Sequence, residues 1–376
     1  MHENKCSNLS PEDRLFLLIS RGPLSSDEQA RARGLLTLPL RWPELLGRVY
    51  DHQTWPLAYR NLRELGFFTV PDTIQTELRH AYLTTALINQ RASDELARLL
   101  HRLSGLGIPA VPLKGVYLAN SLFGDPACRV CSDIDLLVPP SDIDRTLKII
   151  REAGYADVFS DAFFRQLDLR HGRHYSFERK LSGYSSLIEL HWQVVQHSSR
   201  DTAAITDLWS EARGSSFFGA PARQLSPEWQ FLYLCIHAAD HHWRGLKWLA
   251  DVHQTCISQP PEWHRVKEKA ERFGLERAVR QTLAACSVLL GTPLPEIYSA
   301  ASLPQNLRDS CLELAAGPPR VFSHLSLLKQ PWDKLRCVAN VVFVPKPADR
   351  NFLRVPEALS FLYYPMRALR LIAKRV

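Results

Sequence analysis

Apolar and polar positions follow different periods in three successive parts of the chain. Residues 11–104 place apolar side chains at helical spacing, and residues 74–103 form one long candidate helix without an interior Pro or Gly. From Pro227 onward, helices with an apolar face return. The pattern therefore predicts an N-terminal helical region over residues 1–104, an α+β core over 105–225 and a C-terminal helical region over 226–376.

The middle segment consists of short apolar runs bounded by Gly and Pro, which are typical of strands. Gly105 and Gly107 end the long helix before it. Ser141 is the expected N-cap of the second helix in this segment, and Gly154 follows its last turn. The predicted elements are a strand at 108–113, a helix at 116–123, a strand at 134–138, a helix at 142–153, and strands at 173–180 and 185–195 joined by a hairpin turn at 182–184.

The composition is that of an ordinary globular chain, with 45% hydrophobic and 23% charged residues. The net charge of +7 fits a protein that handles phosphates or RNA, and it equally fits a solvated basic surface. The 8 cysteines are too scattered for the disulfide framework of a small secreted domain. The N-terminus has no apolar stretch of a signal peptide, and no run of about 18 apolar residues occurs. We therefore expect a reduced, cytoplasmic protein.

Two carboxylates, Asp133 and Asp135, stand one residue apart where an apolar strand begins. Residues i and i+2 of a strand project from the same face, so both carboxylates can bind one cation. Mg²⁺ binds a few carboxylates and completes its octahedron with waters and substrate phosphates. The pair alone is a weak signal, because two solvated Asp residues in a loop would have the same spacing.

A third carboxylate, Glu189, lies in an alternating run with Ile188 and Leu190 on either side. A charge is costly to bury unless a metal ion or a partner compensates. On a neighbouring strand that faces Asp133 and Asp135, Glu189 would complete a metal-binding triad. The alternative is that Glu189 points outward from the sheet.

Lys114 and Gly115 close the first predicted strand of the core. A Gly after a strand lets a phosphate approach the backbone, and the N–H groups of a following helix favour an anion. Lys114 supplies a point charge for that phosphate. A Lys-Gly pair alone is not a specific signal for a phosphate site. The signal is strengthened by its position before Asp133, with one predicted helix between them.

Other motifs carry less weight. Cys128-Arg129-Val130-Cys131 is a C-x-x-C motif, but no second ligand pair for a structural zinc site is evident.

His237 and His241 have the spacing of a metalloprotease motif, yet Ala238 stands where that motif needs a general base. Residues 366–375 predict a short basic amphipathic helix, which either docks on the protein or contacts a membrane surface.

Several segments together resemble the uncharacterised nucleotidyltransferase family of the polymerase-β-like superfamily, whose members occur in bacterial gene clusters. The superfamily usually opens its site with Gly-Ser, and Lys114-Gly115 stands in that place, a feature that the family shares. The resemblance spans about residues 80–370 and is carried by Val111-Pro112-Leu113-Lys114-Gly115, Gly124-Asp125-Pro126 with Arg129, Ser132-Asp133-Ile134-Asp135-Leu136-Leu137-Val138, Ala153-Gly154-Tyr155, Ile188-Glu189-Leu190-His191-Trp192, Leu246-Lys247-Trp248-Leu249-Ala250-Asp251, and Phe343-Val344-Pro345 with Asp349.

The resemblance implies an α+β fold in which helices flank a small mixed sheet. It implies that Mg²⁺ or Mn²⁺ is held by three carboxylates, those of Asp133, Asp135 and Glu189. It further implies that the nucleoside triphosphate contacts Lys114, Gly115 and Ser132, with Lys247 and Asp251 on the helical side of the pocket. Arg129 either binds phosphate or braces the acidic turn, and the sequence does not choose between these roles.

Together the carboxylates and the resemblance predict an enzyme that transfers a nucleoside monophosphate from an NTP to an acceptor and releases pyrophosphate. The acceptor is open: a small molecule, a peptide or RNA. One alternative is a toxin-like enzyme that adds nucleotides to tRNA, which the charge of +7 permits. Another is a non-catalytic nucleotide- or peptide-binding module, although such a module need not retain three costly carboxylates.

Overall fold

The computed structural model describes residues 9–158, 161–181, 184–195, 200–302, 304–305 and 330–373. Its helices are α1 (Pro11–Ile19), α2 (Ser26–Leu36), α3 (Trp42–Asp51), α4 (Trp55–Glu64), α5 (Asp72–Gly105), α6 (Val116–Ser121), α7 (Ile143–Glu152), α8 (Ala162–His171), α9 (Asp201–Glu211), α10 (Pro227–Asp240), α11 (Leu246–Ser258), α12 (Trp263–Phe273), α13 (Glu276–Leu290), α14 (Pro331–Phe343), α15 (Pro347–Phe352) and α16 (Tyr363–Ala373). Its strands are β1 (Val111–Pro112), β2 (Ile134–Leu137), β3 (Ala156–Asp157), β4 (His174–Leu181), β5 (Tyr184–His191), β6 (Arg213–Phe217) and β7 (Ala220–Gln224).

The chain divides into two compact units, each built from separate stretches of sequence. The first unit contains Met1–Ala97, Leu113–Ser132 and Leu225–Pro318, and the second contains Arg98–Pro112, Asp133–Gln224 and Pro319–Val376. One boundary between them falls inside α5, and another falls between Ser132 and Asp133. The three sequence domains, with limits at residues 104 and 225, remain a prediction.

The first unit is helical, and polar side chains satisfy free backbone N–H groups at the starts of α1 and α2. Ser10 accepts a hydrogen bond from the backbone N–H of Asp13 at the start of α1. Ser25 and Glu28 form a reciprocal capping box at the start of α2. At the other end of α1, the buried Asn61 of α4 donates hydrogen bonds to the carbonyl oxygens of Ile19 and Arg21, at 2.9 and 3.0 Å. These contacts fix the ends of the N-terminal helices.

The second unit contains a five-stranded mixed sheet with the order β1-β2-β5-β4-β3. Only β2 and β5 run parallel, and they pair in the register Ile134↔Ile188 to Leu137↔His191. The other neighbours are antiparallel, including the hairpin of β4 and β5. This topology confirms the predicted α+β class with a small mixed sheet and flanking helices.

Alternation along the strands gives the two faces of the sheet different chemistry. One face carries the buried apolar side chains of β2, β4 and β5: Ile134, Leu136, Tyr175, Phe177, Ile188 and Leu190. Arg151 of α7 lies 5.6 Å from the ring centroid of Phe177, which places α7 against this face. The opposite face carries the polar residues of the same strands: Asp135, His174, Ser176, Glu189 and His191.

The structure differs from the sequence prediction at several elements. Ser141 is not the N-cap of α7, because the chain first makes a 3₁₀ turn at Pro140–Asp142 and Asp142 takes that position. The short strand β3 and helix α8 lie between α7 and β4, where the sequence predicted no element. The hairpin of β6 and β7 was also missed, and Arg223 of β7 donates its backbone N–H to Ala110. Residues 182 and 183 of the predicted hairpin turn lie outside the described residues.

The predicted C-terminal helix is present as α16, and two of its basic side chains point toward Asp349. Asp349 is buried and accepts hydrogen bonds from Arg367 at 3.4 Å and Arg370 at 2.5 Å. This part of the helix is therefore docked on its own unit, and residues 374–375 lie outside the described residues. Among the described helices, none combines the length and the apolar character that crossing a bilayer requires.

Glu12 at the start of α1 gives the first unit a predicted pH dependence. The backbone N–H and side chain of Arg41 donate hydrogen bonds to its carboxylate, and they lower the pKa of Glu12 from 4.5 to about 2. The folded state therefore binds this proton less readily than the unfolded chain. We expect this contribution to stability to be complete above pH 4.5 and to disappear as the pH falls toward 2.

Glu12→Gln should remove that contribution. Urea unfolding between pH 3 and pH 7 should show the variant losing less stability on acidification than the parent protein, with the difference largest at pH 7. Glu44→Gln is the control, because Glu44 pairs with the same arginine at an exposed position. Equal pH slopes for the Glu12 variant and the parent protein would contradict the prediction.

Candidate functional site

The parallel pairing of β2 and β5 brings the predicted carboxylates together on the polar face of the sheet. Asp135 is directly opposite Glu189 in the register, so the two side chains project side by side. Asp133 lies in a bend just before β2 and not in the strand itself. Even so, one carboxylate oxygen from each of Asp133, Asp135 and Glu189 lies within 4.8 Å of the others. We call this set the carboxylate triad.

His191 is a member of the site that the sequence analysis did not select. Its Nε2 atom lies 3.0 Å from Oδ1 of Asp135 and 3.5 Å from Oε2 of Glu189. The imidazole therefore bridges two carboxylates of the triad and holds them in place. The signal was available in the sequence, because His191 follows Glu189 by two residues on a strand and must share its face.

The two histidines of this face have opposite pKa shifts. Burial disfavours the charged imidazolium of His191, but its hydrogen bonds with Asp135 and Glu189 outweigh burial and raise its pKa. Burial lowers the pKa of His174 to about 4, and the neighbouring His191 contributes to this shift. His174 lies opposite His191 in the β4–β5 hairpin, with its Nε2 atom 3.8 Å from Oε1 of Glu189.

The donor set of the carboxylate triad fits a hard divalent cation. Carboxylate oxygens are the ligands that Mg²⁺ and Mn²⁺ take in proteins, and these ions retain open positions for water and phosphate oxygens. Asp135 is buried, whereas Asp133 and Glu189 are partly exposed. A cation can thus be held on one side by the sheet and remain open to a substrate on the other.

Lys114 and Gly115 lie in the first unit, at the start of α6. The Lys114 side chain is buried, and Gly115 precedes the helix with φ 63° and ψ −132°, a backbone conformation that favours glycine. Ser132, the last residue of that stretch of the first unit, is exposed. Their contacts with a triphosphate remain a prediction.

Arg129 and Asp251 form a buried ion pair within the first unit. The Nε and Nη2 atoms of Arg129 donate to both oxygens of Asp251 at 2.9–3.1 Å. Burial alone would lower the pKa of Arg129, but the Asp251 carboxylate raises it above its ordinary value. Asn89 of α5 also donates a hydrogen bond to the Arg129 carbonyl, at 2.7 Å. The contacts of this pair are those of a brace, and its contact with a nucleotide remains a prediction.

Lys247, one turn before Asp251 on α11, has a different environment. Its ammonium donates a hydrogen bond to Gln53 and lies 5.6 Å from the ring centroid of Trp248. His241 stacks on the same indole ring with a centroid distance of 3.9 Å. The side chain is thus on an aromatic surface of the first unit, and its contact with the nucleotide stays a prediction.

The C-x-x-C motif has the environment of ordinary thiols. Among the described residues, Cys128 and Cys131 form no disulfide. Burial raises the pKa of Cys128 to about 12, so the thiolate that a metal site or redox reaction requires is disfavoured. Arg60 donates a hydrogen bond to the sulfur of Cys128 at 3.4 Å. The absence of a metal or redox role for this motif stays a prediction.

Comparison with known proteins identifies the family of this chain. The sequence matches the model of the uncharacterised nucleotidyltransferase family over residues 39–291, and the chain belongs to that family. One solved structure that it resembles is an antigenic nucleotidyltransferase-like protein from Paracoccidioides brasiliensis. The match has 17% sequence identity and a TM-score of 0.31, and covers 50% of this chain and 92% of that chain. No curated protein matches the chain.

Removal of one partner of the buried ion pair should destabilise the first unit. Asp251→Asn leaves the Arg129 guanidinium buried without its countercharge, which typically costs about 3–5 kcal/mol. We expect a loss of that size in the free energy of unfolding, measured by urea titration at neutral pH.

Two further variants make this test specific. Glu44→Gln removes the partner of an exposed ion pair in the same unit and should cost no more than about 1 kcal/mol. The double change Arg129→Met with Asp251→Leu should recover much of the loss, because no charge is then left buried. Similar effects of Asp251→Asn and Glu44→Gln would show that the buried pair does not brace the unit.

Proposed function

We propose that the protein is a nucleotidyltransferase that moves a nucleoside monophosphate from an NTP to a hydroxyl group of an acceptor, with release of pyrophosphate. The observation that carries the proposal is the carboxylate triad on the polar face of the sheet, held by His191. Family membership supports the same reaction class. A cytoplasmic location, where NTPs are available, is the expectation that goes with it.

The proposed reaction is an in-line displacement at the α-phosphorus. The acceptor hydroxyl oxygen forms a bond to phosphorus, and the bond to the bridging oxygen breaks. Pyrophosphate leaves with the electron pair of that bond. The hydroxyl proton passes to a base, and we propose Glu189 for this role because its carboxylate is partly exposed within the triad.

Asp133, Asp135 and Glu189 would hold Mg²⁺ or Mn²⁺, and such an ion supplies charge neutralisation for the triphosphate and the leaving pyrophosphate. The role of His191 is positional, because its hydrogen bond with Oδ1 of Asp135 fixes the orientation of that carboxylate. In a site that is prepared before substrate binds, little reorganisation is needed during the reaction. Lys114, Gly115 and Ser132 are proposed to contact the phosphates.

Asp135→Asn should abolish the reaction without unfolding the protein. The carboxylate charge is lost, and we expect pyrophosphate release to fall at least about a hundredfold, since a metal ligand contributes several kcal/mol to transition-state stabilisation. The measurement is pyrophosphate release from each of the four NTPs with Mg²⁺ or Mn²⁺, with total tRNA or cell extract as the acceptor source.

Asp144→Asn is the matched control, because Asp144 is an exposed residue of α7 in the same unit. Its activity should equal that of the parent protein. Release that requires tRNA and falls steeply with salt would indicate an RNA acceptor. Equal release by Asp135→Asn and the parent protein would refute the proposed catalytic role of the triad.

A further inference from the structure

The polar face of the sheet also brings together two imidazoles and one carboxylate. His174 of β4 and His191 of β5 are directly opposite each other in the antiparallel register, so their side chains share a face. Glu189 is two residues before His191 and projects from the same face. One ligand atom from each of His174, Glu189 and His191 lies within 4.8 Å of the others. We call this set the histidine triad.

We propose that the histidine triad is a second cation site, distinct from the carboxylate triad, and that it binds Zn²⁺. The choice of ion follows from the donors. Two imidazole nitrogens and one carboxylate oxygen are a ligand set that Zn²⁺ uses in proteins, with a fourth position left for water. Mg²⁺ takes oxygen ligands and does not select imidazole.

The distances between the ligand atoms agree with this choice. A tetrahedral Zn²⁺ with bonds of about 2.0–2.1 Å keeps neighbouring ligand atoms about 3.4 Å apart. The Nε2 atom of His191 is 3.5 Å from Oε2 of Glu189, and the Nε2 atom of His174 is 3.8 Å from Oε1 of the same carboxylate. The two imidazoles thus approach different oxygens of one carboxylate, and the side chains of His174 and Glu189 are 32% and 22% exposed.

The two sites cannot be filled independently, since they share Glu189. In addition, coordination through Nε2 of His191 would replace the hydrogen bond that this atom makes with Oδ1 of Asp135. A bound Zn²⁺ would therefore occupy Glu189, which the carboxylate triad also needs. It would also remove the hydrogen bond with which His191 holds Asp135. Zinc at the histidine triad thus opposes Mg²⁺ at the carboxylate triad, and this last consequence rests on the proposed function.

The site can be tested by binding alone. Isothermal titration of the full chain with Zn²⁺ should show a site that His174→Ala weakens at least about tenfold, because one of three protein ligands is lost. His174 is partly exposed, so this change should leave the fold intact, as circular dichroism will verify. His171→Ala is the matched control: His171 is a nearby histidine of the same unit that is not part of the triad, and its variant should bind Zn²⁺ like the parent protein.

Two more measurements identify the ligands. Asp133→Asn removes a member of the carboxylate triad only, so it should retain the His174-dependent Zn²⁺ site. Co²⁺ in that site should show visible absorption without a thiolate charge-transfer band, which separates the histidine triad from the free cysteines.

The proposal is overturned if the parent protein binds no Zn²⁺, if His174→Ala binds it as tightly as the parent protein, or if Asp133→Asn eliminates the site. These binding measurements do not require the protein to have transferase activity. A parent protein that releases pyrophosphate normally with Mg²⁺ but has no His174-dependent Zn²⁺ site would refute the zinc site and leave the proposed function standing. His174-dependent Zn²⁺ binding by a protein without any transfer activity would support the zinc site and contradict the proposed function.

Discussion

The parallel register of β2 and β5 is the constraint on which the rest of the site depends. It places Ile134 and Leu136 beside Ile188 and Leu190 on the apolar face, and this burial holds the two strands together. The same register leaves Asp135 beside Glu189 on the other face. Hydrophobic burial on one side of the sheet thus overcomes the repulsion between two carboxylates on the other, and His191 reduces that repulsion by bridging them.

Much of the carboxylate site was predictable, because the alternation of apolar and polar residues along a strand can be read from the sequence. The apolar positions around Asp135 and Glu189 identified two strands and selected both carboxylates, and the proximity of these residues agrees with that prediction. Which strands are neighbours depends on contacts between distant segments, so the order β1-β2-β5-β4-β3 was not derivable from local pattern. For the same reason the sequence did not place His174 beside His191: only the β4–β5 register brings them opposite each other.

Other differences have local causes. Strand β3 is two residues long, and α8 carries Asp, Arg and His among its apolar residues, so neither produces a clear periodic signal. Strands β6 and β7 include Pro221 and five small residues, which hide their alternation: Gly214, Ser215, Ser216, Ala220 and Ala222. Arg129 and Asp251 are 122 positions apart, and no local rule predicts that two such charges will pair inside the helical unit. Strong periodicity was thus predictive, whereas charge pairing across long separations was not.

The alternation of β5 also limits how the gene for this protein can vary in length. Glu189 and His191 are at odd-numbered positions and face the polar side of the sheet, whereas Ile188 and Leu190 are at even-numbered positions and face the apolar side. Deletion or insertion of a single codon within the strand would exchange the two sets, sending a carboxylate and an imidazole into the hydrophobic interior and two aliphatic side chains to the polar face. A change of two codons would preserve the parity. Homologous chains should therefore differ in the length of this strand by even numbers, or not at all.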